Sequence, residues 1–397
     1  MNPPPSPFDV VDPSLLRRAR STKWNTFGVD VLPAWIADMD FAPPLAITAA
    51  LNAWMADGFL GYPGWPYHRR VQAVASTYLS RRFAMVDDPA RYLLLTDVVQ
   101  GMHAAMSVWS SPGDPILVLT PIYPPFLSVV GEQRRRLLEH RLSVVDGEYR
   151  FDLEALRELV AQHRPPMLLL CNPHNPVGRV FTIEELRALG ELAVEFDMIV
   201  VSDEIHAEIV FDGRQHVAFE TLSEEVCART ITITSASKAC NLAGLRTAVM
   251  VFGAMARREE FDAVFSSHVL GVVSTPGMVA LETAWSDPSV SVWLAECVEA
   301  LRSRRDQFAA ALATDAPAIV HLPSQGTYLA WVDCTMLGTT LAEHETVATR
   351  LRTEANLAVS DGTTFGSGLA HFVRVNLATS TAIVADIASR ITTWSTR

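Results

Sequence analysis

The chain has 397 residues, 49% of them hydrophobic, and a formal net charge of −12 at pH 7. This length predicts two domains, or one large domain with a smaller one, and the acidic balance argues against nucleic acid or anionic membrane as a partner. No run approaches the roughly 20 apolar residues of a membrane span. The five cysteines are scattered without metal-site spacing, so we expect a cytoplasmic protein in a reducing compartment with no bound metal.

The first 45 residues do not show a strand–helix–strand pattern. The prolines of MNPPPSPFD predict disorder at the very start, because proline-rich polar sequence cannot build a core. We expect the rest of this segment to pack on the smaller domain or on a partner subunit.

Between about residues 92 and 252, short apolar runs alternate with longer helical patterns. The run lengths are typical of strands buried on both faces, and the runs are RYLLLTDVV, PILVLTPIY, PPMLLLCNP, MIVVSDEI, TITITSAS and TAVMVFG. In TIEELRALGELAVEF, Thr182 followed by Glu185 predicts a capped helix. Strands that alternate with helices predict an α/β fold with a mostly parallel sheet, which binds ligands at the C-terminal ends of its strands.

Candidate ligand-binding residues follow the first two of these strands. Gly101 and Met102 open a helical pattern, and backbone N–H groups at a helix N-terminus can bind phosphate. The alternative is that Gly101 only makes a turn. Tyr123 lies in the proline-stiffened loop TPIYPPF, where it can stack on a flat ligand or simply pack in the core.

The next two strand ends carry amide, carboxylate and imidazole groups. CNPHNPVGRVFT contains two Asn-Pro turns, which bring Asn172 and Asn175 to a strand end either as donors or as turn residues alone. In VVSDEIHAEIV, Asp203 follows a buried strand and needs a cationic partner. His206 lies three residues further on, and a buried salt bridge from Asp203 to an arginine is the alternative.

The stretch TSASKACNLAGLR contains Lys238. All of the 32 basic residues except Lys23 and Lys238 are arginines. Because a lysine amine can lose its proton and an arginine cannot, we interpret Lys238 as a reactive amine, with chance retention of a lysine as the alternative. The nearby groups that suit a phosphate are Ser235, Ser237 and Arg246.

After about residue 286 the pattern changes to that of a smaller α+β domain. It contains a long helical stretch (VSVWLAECVEALRSRRDQFAAAL), strand-like TYLAWVDC, a helix near 341–355, and HFVRVNLA. We therefore predict an N-terminal segment over 1–45 that packs with the small domain, a large cofactor-binding domain over 46–285, and a small C-terminal domain over 286–397.

The groups at these strand ends match the needs of pyridoxal 5′-phosphate (PLP): a lysine, a buried carboxylate, an aromatic ring and a phosphate seat. From about residue 20 onward the chain resembles the fold-type I, class I/II aminotransferase-like PLP enzymes. Within them it is most similar to the cystathionine β-lyase and cysteine C–S lyase branch of the MalY/PatB type. The motifs that carry this resemblance are TKWNTF, WIADMDFAPP, GYPGW, TPIYPPF, CNPHNPVGRVFT, VVSDEIHAEIVF and TSASKACNLAGLR.

The resemblance implies a fold-type I sheet of seven strands and a role for each candidate residue. It implies that Lys238 forms the Schiff base with the cofactor, that Asp203 pairs with the pyridine nitrogen, and that Tyr123 stacks on the ring; these three are the implied catalytic residues. The residues implied to flank the ring hydroxyl are Asn175 and His206, and those implied to hold the phosphate are Gly101, Met102, Ser235, Ser237, Arg246 and, from a second subunit, Tyr62.

The substrate side is also implied by the resemblance. Arg374, in FVRVNLA, would bind the substrate α-carboxylate, with a surface arginine on a strand as the alternative. Asp38 to Asp40 would line the entrance, and Tyr62 would reach the substrate from the second subunit of a homodimer with shared active sites. Lys23 and Trp24 belong to a motif of the branch without a role that the sequence can supply.

The activity implied is that of a PLP-dependent C–S β-lyase, which converts L-cystathionine or a related cysteine S-conjugate to a thiol, pyruvate and ammonia. One alternative is an aminotransferase that acts on an amino acid and a 2-oxo acid. Another is a PLP-fold protein with a regulatory binding role. His206 stands where many aminotransferases of this superfamily have tyrosine, which favours the lyase.

Overall fold

The structure, a computed structural model, describes residues 6–396. The α-helices in that range are α1 (Pro13–Arg18), α2 (Thr22–Asn25), α3 (Leu45–Ala56), α4 (Trp65–Phe83), α5 (Val98–Trp109), α6 (Pro124–Glu132), α7 (Leu153–His163), α8 (Ile183–Glu195), α9 (Glu224–Cys227), α10 (Met255–Val264), α11 (Ser267–Leu270), α12 (Thr275–Ser286), α13 (Pro288–Asp315), α14 (Val347–Glu354) and α15 (Thr381–Ser395). The strands are β1 (Leu32–Pro33), β2 (Tyr92–Leu95), β3 (Pro115–Thr120), β4 (Arg136–Arg141), β5 (Ser143–Val145), β6 (Glu148–Arg150), β7 (Met167–Cys171), β8 (Ile199–Asp203), β9 (Thr230–Thr234), β10 (Ala248–Phe252), β11 (Val320–His321), β12 (Leu329–Asp333), β13 (Leu357–Ala358), β14 (Ser360–Asp361) and β15 (Phe372–Asn376). Residues 1–5, where we expected disorder, lie outside the described residues.

A seven-stranded sheet, in the order β2-β10-β9-β8-β7-β3-β4, lies at the centre of the larger part of the chain. Strand β10 runs antiparallel to β2 and β9, and the other neighbouring strands run parallel. Alternate residues of a strand pack on opposite faces: in β7, Leu169 packs in a cluster with Ala105 of α5, whereas Leu168 packs with Leu189 of α8. Helices cover both faces, and the predicted α/β fold with a mostly parallel sheet is confirmed.

The edge strand β4 is the one strand of this sheet that the apolar runs do not predict. It buries Leu138 and His140 but exposes Arg136, Glu139 and Arg141. This alternation arises because β4 pairs only with β3 and lies at the edge of the sheet, where charged residues are favoured. The sequence pattern therefore indicates the buried strands and misses the partly solvated one.

The helices begin where the sequence provides caps. Thr182 precedes α8, its hydroxyl accepts the Glu185 N–H at 3.2 Å, and the Glu185 carboxylate accepts the Thr182 N–H at 2.7 Å. This reciprocal arrangement satisfies two N–H groups that the helix itself leaves free. The long helix α13 follows the Asp287 cap, whose carboxylate accepts the Ser289 N–H at 2.9 Å, and it matches the helical stretch predicted after residue 286.

A second, antiparallel sheet in the order β11-β12-β15-β14 forms the C-terminal part. The N-terminal segment is joined to this part, because β1 pairs in parallel with β13 and Phe8 packs in one cluster with Tyr328 and Leu329. The proposed domain boundaries at residues 45 and 285 stay a prediction. None of the helices in residues 6–396 is long and apolar enough to cross a membrane.

Candidate active site

A cavity of about 740 Å³ opens at the C-terminal ends of the parallel strands of the large sheet. Parallel strands that end at one edge bring residues distant in sequence together. Eight of the residues singled out in the sequence line this cavity: Tyr123, Asn175, Asp203, His206, Ser235, Ser237, Lys238 and Arg246.

The amine of Lys238 faces this cavity and donates a hydrogen bond to the Ala37 carbonyl at 2.7 Å. Burial lowers the pKa of this lysine to about 8, and the positive charge of Arg374 lowers it further, against the opposing charges of Asp38 and Asp203. About a tenth of the amine is therefore unprotonated at pH 7, far more than in an ordinary lysine, and the unprotonated form is the one that a nucleophile or base requires.

Asp203 is the last residue of β8 and is almost completely buried. Within residues 6–396 its carboxylate accepts the Ile205 N–H at 3.0 Å, and the alternative of a salt bridge to an arginine is not what the structure shows. Burial raises the pKa of Asp203 to about 7, and the neighbouring Glu204 raises it further, while the positive charge of Lys238 lowers it. Such a carboxyl is poised to hold or share a proton with a ligand in the cavity.

Tyr123 and His206 both line the cavity. Tyr123 precedes α6, whose first turn is set by Pro124 and Pro125, and burial raises its phenol pKa. Burial lowers the pKa of His206 to about 3, and the charges of Lys238 and Arg374 lower it further, so the ring is neutral. Its Nδ1 is buried without a hydrogen-bond partner in the described residues, which leaves one polar atom available to a ligand.

Arg374 links the small sheet to the large-sheet site. It lies on β15 with only 5% of its surface exposed, so the alternative of a surface arginine is wrong. Its guanidinium donates to Asn175 Oδ1 at 3.0 Å and to the Trp35 carbonyl at 3.1 Å, while Nε has no partner among the described residues. Burial lowers the pKa of Arg374 to about 10. A buried cation with an unused donor suits a carboxylate ligand.

The phosphate-binding end of the cavity differs from the sequence prediction. The Gly101 N–H is bonded within helix α5 to the Asp97 carbonyl at 3.3 Å, and a Cβ at Gly101 would lie 2.9 Å from Ile233. Met102 is fully buried in the core. The structure therefore turns both residues toward the sheet and does not bring them to the cavity, because they lie beyond the first turn of the helix.

The free N–H groups of α5 belong to Val98 and Val99, which do line the cavity. Asp97 caps this helix by accepting the Gln100 N–H at 2.7 Å, and its other oxygen pairs with Arg246. We therefore propose that the backbone N–H groups of Val98 and Val99 bind the phosphate, in place of those of Gly101 and Met102. The signal in the sequence was Asp97, an N-cap residue directly before an apolar run.

Ser235 and Ser237, in the turn directly after β9, complete the phosphate-binding end of the cavity. Ser235 Oγ donates to the Thr247 carbonyl at 2.6 Å and accepts the Ser237 N–H at 3.0 Å. These bonds hold the turn between β9 and Arg246 in one shape. Because the O–H of Ser235 is used on the Thr247 carbonyl, the donors left for a phosphate are the Ser237 hydroxyl, the Arg246 guanidinium and the helix N–H groups.

Besides Gly101 and Met102, three predicted site residues do not line the cavity within one chain: Tyr62, Asp38 and Arg374. Tyr62 is 91% exposed and lies next to other exposed apolar side chains, Phe59, Leu60 and Trp65. Asp38 does not line the cavity, although its carboxylate is close enough to Lys23 and Lys238 for their charges to lower its pKa against the larger effect of burial, which raises it.

Comparison with known proteins agrees with this geometry. The model of the aminotransferase class I and II family matches residues 36–391. The chain belongs to this family. Cystathionine beta-lyase PatB of Bacillus subtilis is 32% identical over 94% of this chain and 96% of its own. Cystathionine beta-lyase of Corynebacterium glutamicum is 32% identical over 95% and 97%.

A solved structure extends the comparison to the fold. Cystalysin of Treponema denticola, whose crystal structure contains PLP, superposes with a TM-score of 0.88 at 26% identity, over 98% of both chains. The predicted membership of the PLP-dependent aminotransferase-like enzymes is thereby confirmed. The site fits a flat, phosphorylated aldehyde such as PLP. It offers phosphate donors at one end, the unpaired His206 Nδ1, the partly buried Lys238 and the buried Asp203.

Proposed function

We propose that the chain is a PLP-dependent C–S β-lyase acting on L-cystathionine or a related cysteine S-conjugate. The observation that carries this proposal is the partly buried Lys238, with a pKa of about 8, in a cavity that also holds Asp203. Full-length likeness to proteins named cystathionine beta-lyase supports it. The products would be a thiol, pyruvate and ammonia.

The residues that would hold PLP are those at the cavity wall. Lys238 would bind its aldehyde carbon, and Asp203 would face the ring nitrogen, where its carboxylate charge would favour a protonated nitrogen. Tyr123 would stack on the ring, with His206 and Asn175 beside the ring hydroxyl. The groups proposed for the phosphate are the Val98 and Val99 N–H groups, Ser237 and Arg246, with Ser235 holding the turn that carries Ser237.

When bound, PLP supplies an electron-poor ring that stabilises negative charge at the substrate Cα. Arg374 would bind the α-carboxylate and so fix the Cα–H bond beside Lys238, whose free amine would take that proton. The Cβ–S bond would then break, and the sulfur would leave with its electron pair and accept a proton from Lys238. Water would convert the remaining three-carbon fragment to pyruvate and ammonia.

We further propose that the active unit is a cytoplasmic homodimer that takes a small amino-acid substrate. The exposed apolar side chains Phe59, Leu60, Tyr62 and Trp65 flank the start of α4, and a patch of this kind is typical of a protein interface. A second copy seated there would carry its own Tyr62 toward the neighbouring cavity. The five free cysteines support a reducing compartment.

The test is turnover of L-cystathionine by the holoenzyme without any 2-oxo acid. We expect sustained, equal release of pyruvate and free thiol, and no release from L-alanine, which has the same amine and carboxylate but no thioether. Turnover that begins only when a 2-oxo acid is added would instead establish the aminotransferase alternative that the family description suggests.

A second measurement tests the role of Lys238 separately. Borohydride reduction followed by peptide mass mapping should find the cofactor on Lys238 and not on Lys23, the only other lysine in the chain. A holoenzyme without reducible visible absorbance would overturn the enzyme proposal and leave the regulatory binding role as the remaining interpretation.

A further inference from the structure

Residues 35–41, which we call the strap, cross the active site without belonging to any helix or strand. Their backbone is held by side chains instead. The Trp35 carbonyl accepts a hydrogen bond from Arg374. The Ala37 carbonyl accepts one from Lys238 at 2.7 Å and one from Tyr328 at 3.0 Å. Asn376 donates to the carbonyls of Ile36 and Asp38, on either side of Ala37, at 2.6 Å each.

The far end of the strap is held in the same way. Asn241 donates to the Met39 carbonyl at 3.1 Å and to the Phe41 carbonyl at 2.7 Å, and its side-chain oxygen accepts the Met39 N–H at 3.2 Å. Because Asn241 lies three residues after Lys238, the strap and the turn that carries the lysine are fixed to one another. The position of the strap therefore sets the surroundings of both Lys238 and Arg374.

Two side chains of the strap contact the Lys23 region of the N-terminal segment: Trp35 Nε1 donates to the Lys23 carbonyl at 3.2 Å, and Asp40 is held by two donors. The Asp40 carboxylate accepts Lys23 Nζ at 2.9 Å on one oxygen and Trp24 Nε1 at 2.7 Å on the other. Lys23 is 2% exposed and also donates to the Asp38 carbonyl at 3.4 Å. A buried carboxylate with both oxygens satisfied by donors from one short helix, α2, can take up only one position.

We propose that Lys23, Trp24 and Asp40 are positioning residues, an anchor that holds the strap against Lys238 and Arg374. The anchor touches neither the cavity nor any reacting atom, and it acts through the Ala37 and Trp35 carbonyls. The role proposed for the Lys23–Trp24 motif is therefore to position the strap. Its activity readout rests on the proposed lyase function, whereas its cofactor readout does not.

The experiment compares two holoenzyme variants that each lose an ion pair made by a buried cation. Lys23→Met/Asp40→Asn removes the anchor charges together, so that no unpaired charge stays buried. Arg305→Met/Asp212→Asn is the control, because it removes the 2.6 Å pair between the buried Arg305 of α13 and the half-exposed Asp212 after β8 without touching the strap. It also removes the pair between Arg305 and Asp306. Both are measured at a temperature where urea titration shows them folded.

The first readout is the rate at which hydroxylamine releases the cofactor from Lys238, followed as loss of visible absorbance. We expect the anchor variant to release it about tenfold faster, since a displacement near 1 Å at the strap uncovers the lysine, and the control to match the wild-type protein. A release rate equal to wild type in the anchor variant overturns the proposal, whatever happens to activity.

The second readout separates positioning from general loss of structure. In the anchor variant we expect KM for L-cystathionine to rise about tenfold, because Arg374 loses a fixed partner, with a smaller fall in kcat. If the double variant does not fold, Trp24→Phe removes one hydrogen bond to Asp40 and keeps the ion pair; release should still be faster, and an unchanged rate again overturns the proposal.

The failure of the anchor and the failure of the lyase function are distinguishable. A wild-type holoenzyme that carries PLP but releases no pyruvate from cystathionine contradicts the proposed function. The hydroxylamine comparison still decides the role of Lys23, Trp24 and Asp40 in that case, because it needs only the cofactor bound to Lys238.

Discussion

The carboxyl of Asp203 should destabilise the protein when no cofactor is bound. Its pKa is raised from 3.8 to about 7 by burial, so ionisation costs more in the folded than in the unfolded chain. Each pKa unit corresponds to 1.36 kcal/mol, which gives a penalty of about 4 kcal/mol above pH 7. Below pH 3.8 the carboxyl is protonated in both states and the penalty is absent.

Asp203→Asn tests this directly. The amide keeps an oxygen for the Ile205 N–H and cannot ionise, so the cofactor-free variant should be more stable than wild type by about 4 kcal/mol at pH 8 and by about 1 kcal/mol at pH 4.5. The same substitution should weaken cofactor binding and lower the activity of the holoenzyme, because the side chain that faces the ring nitrogen has lost its charge.

The assay is urea unfolding of both cofactor-free proteins at pH 8 and pH 4.5, followed by tryptophan fluorescence. The difference between variant and wild type isolates Asp203, since every other titrating group is common to both proteins. An equal difference at the two pH values, or a variant less stable than wild type at pH 8, would refute the reasoning.

Three further results are expected. Lys238→Arg keeps the charge but cannot serve as base, so turnover of L-cystathionine should fall by about 1000-fold; full turnover in that variant would contradict the proposed mechanism. In the cofactor-free protein, acylation of Lys238 followed by mass spectrometry should rise with pH to half its maximum near pH 8, because the lowered pKa frees the amine earlier than in an ordinary lysine; a midpoint near 10.5 would contradict this. Asp97→Asn keeps the cap on Gln100 but removes the anion that pairs with Arg246, so titration should show PLP binding about tenfold tighter; weaker binding would mean that Asp97 orients Arg246 for the phosphate.

The sequence predicts the fold best where one local pattern decides the structure. Continuous apolar runs indicate the strands that are buried on both faces, and Thr182 with Glu185 indicates the start of α8. Strand β4 escapes prediction because its edge position permits charged residues. The antiparallel direction of β10 escapes because strand direction depends on pairing, which no local pattern records.

The same division applies to the candidate site. Lys238, Asp203 and His206 are found from the sequence because each follows a strand that ends at the cavity. Gly101 is predicted as a phosphate-binding residue because it is a glycine near the start of a helix. The N–H groups that the helix leaves free are instead those of Val98 and Val99, directly after Asp97. The anchor of Lys23 and Asp40 depends on a contact between residues 17 positions apart, in a segment without regular periodicity, and only the structure shows it.

The strap also has a consequence for the order in which the protein is made. Its residues leave the ribosome first, whereas Asn376, which holds the Ile36 carbonyl, is 340 residues further along the chain. The large sheet is complete once Phe252 has been synthesised and can fold before β15 exists. If the sheet forms at that point, the nascent chain would spend roughly ten seconds with Lys238 uncovered at ordinary elongation speeds. Cofactor that arrived in this interval would meet an open site, which would close only when the last strand is in place.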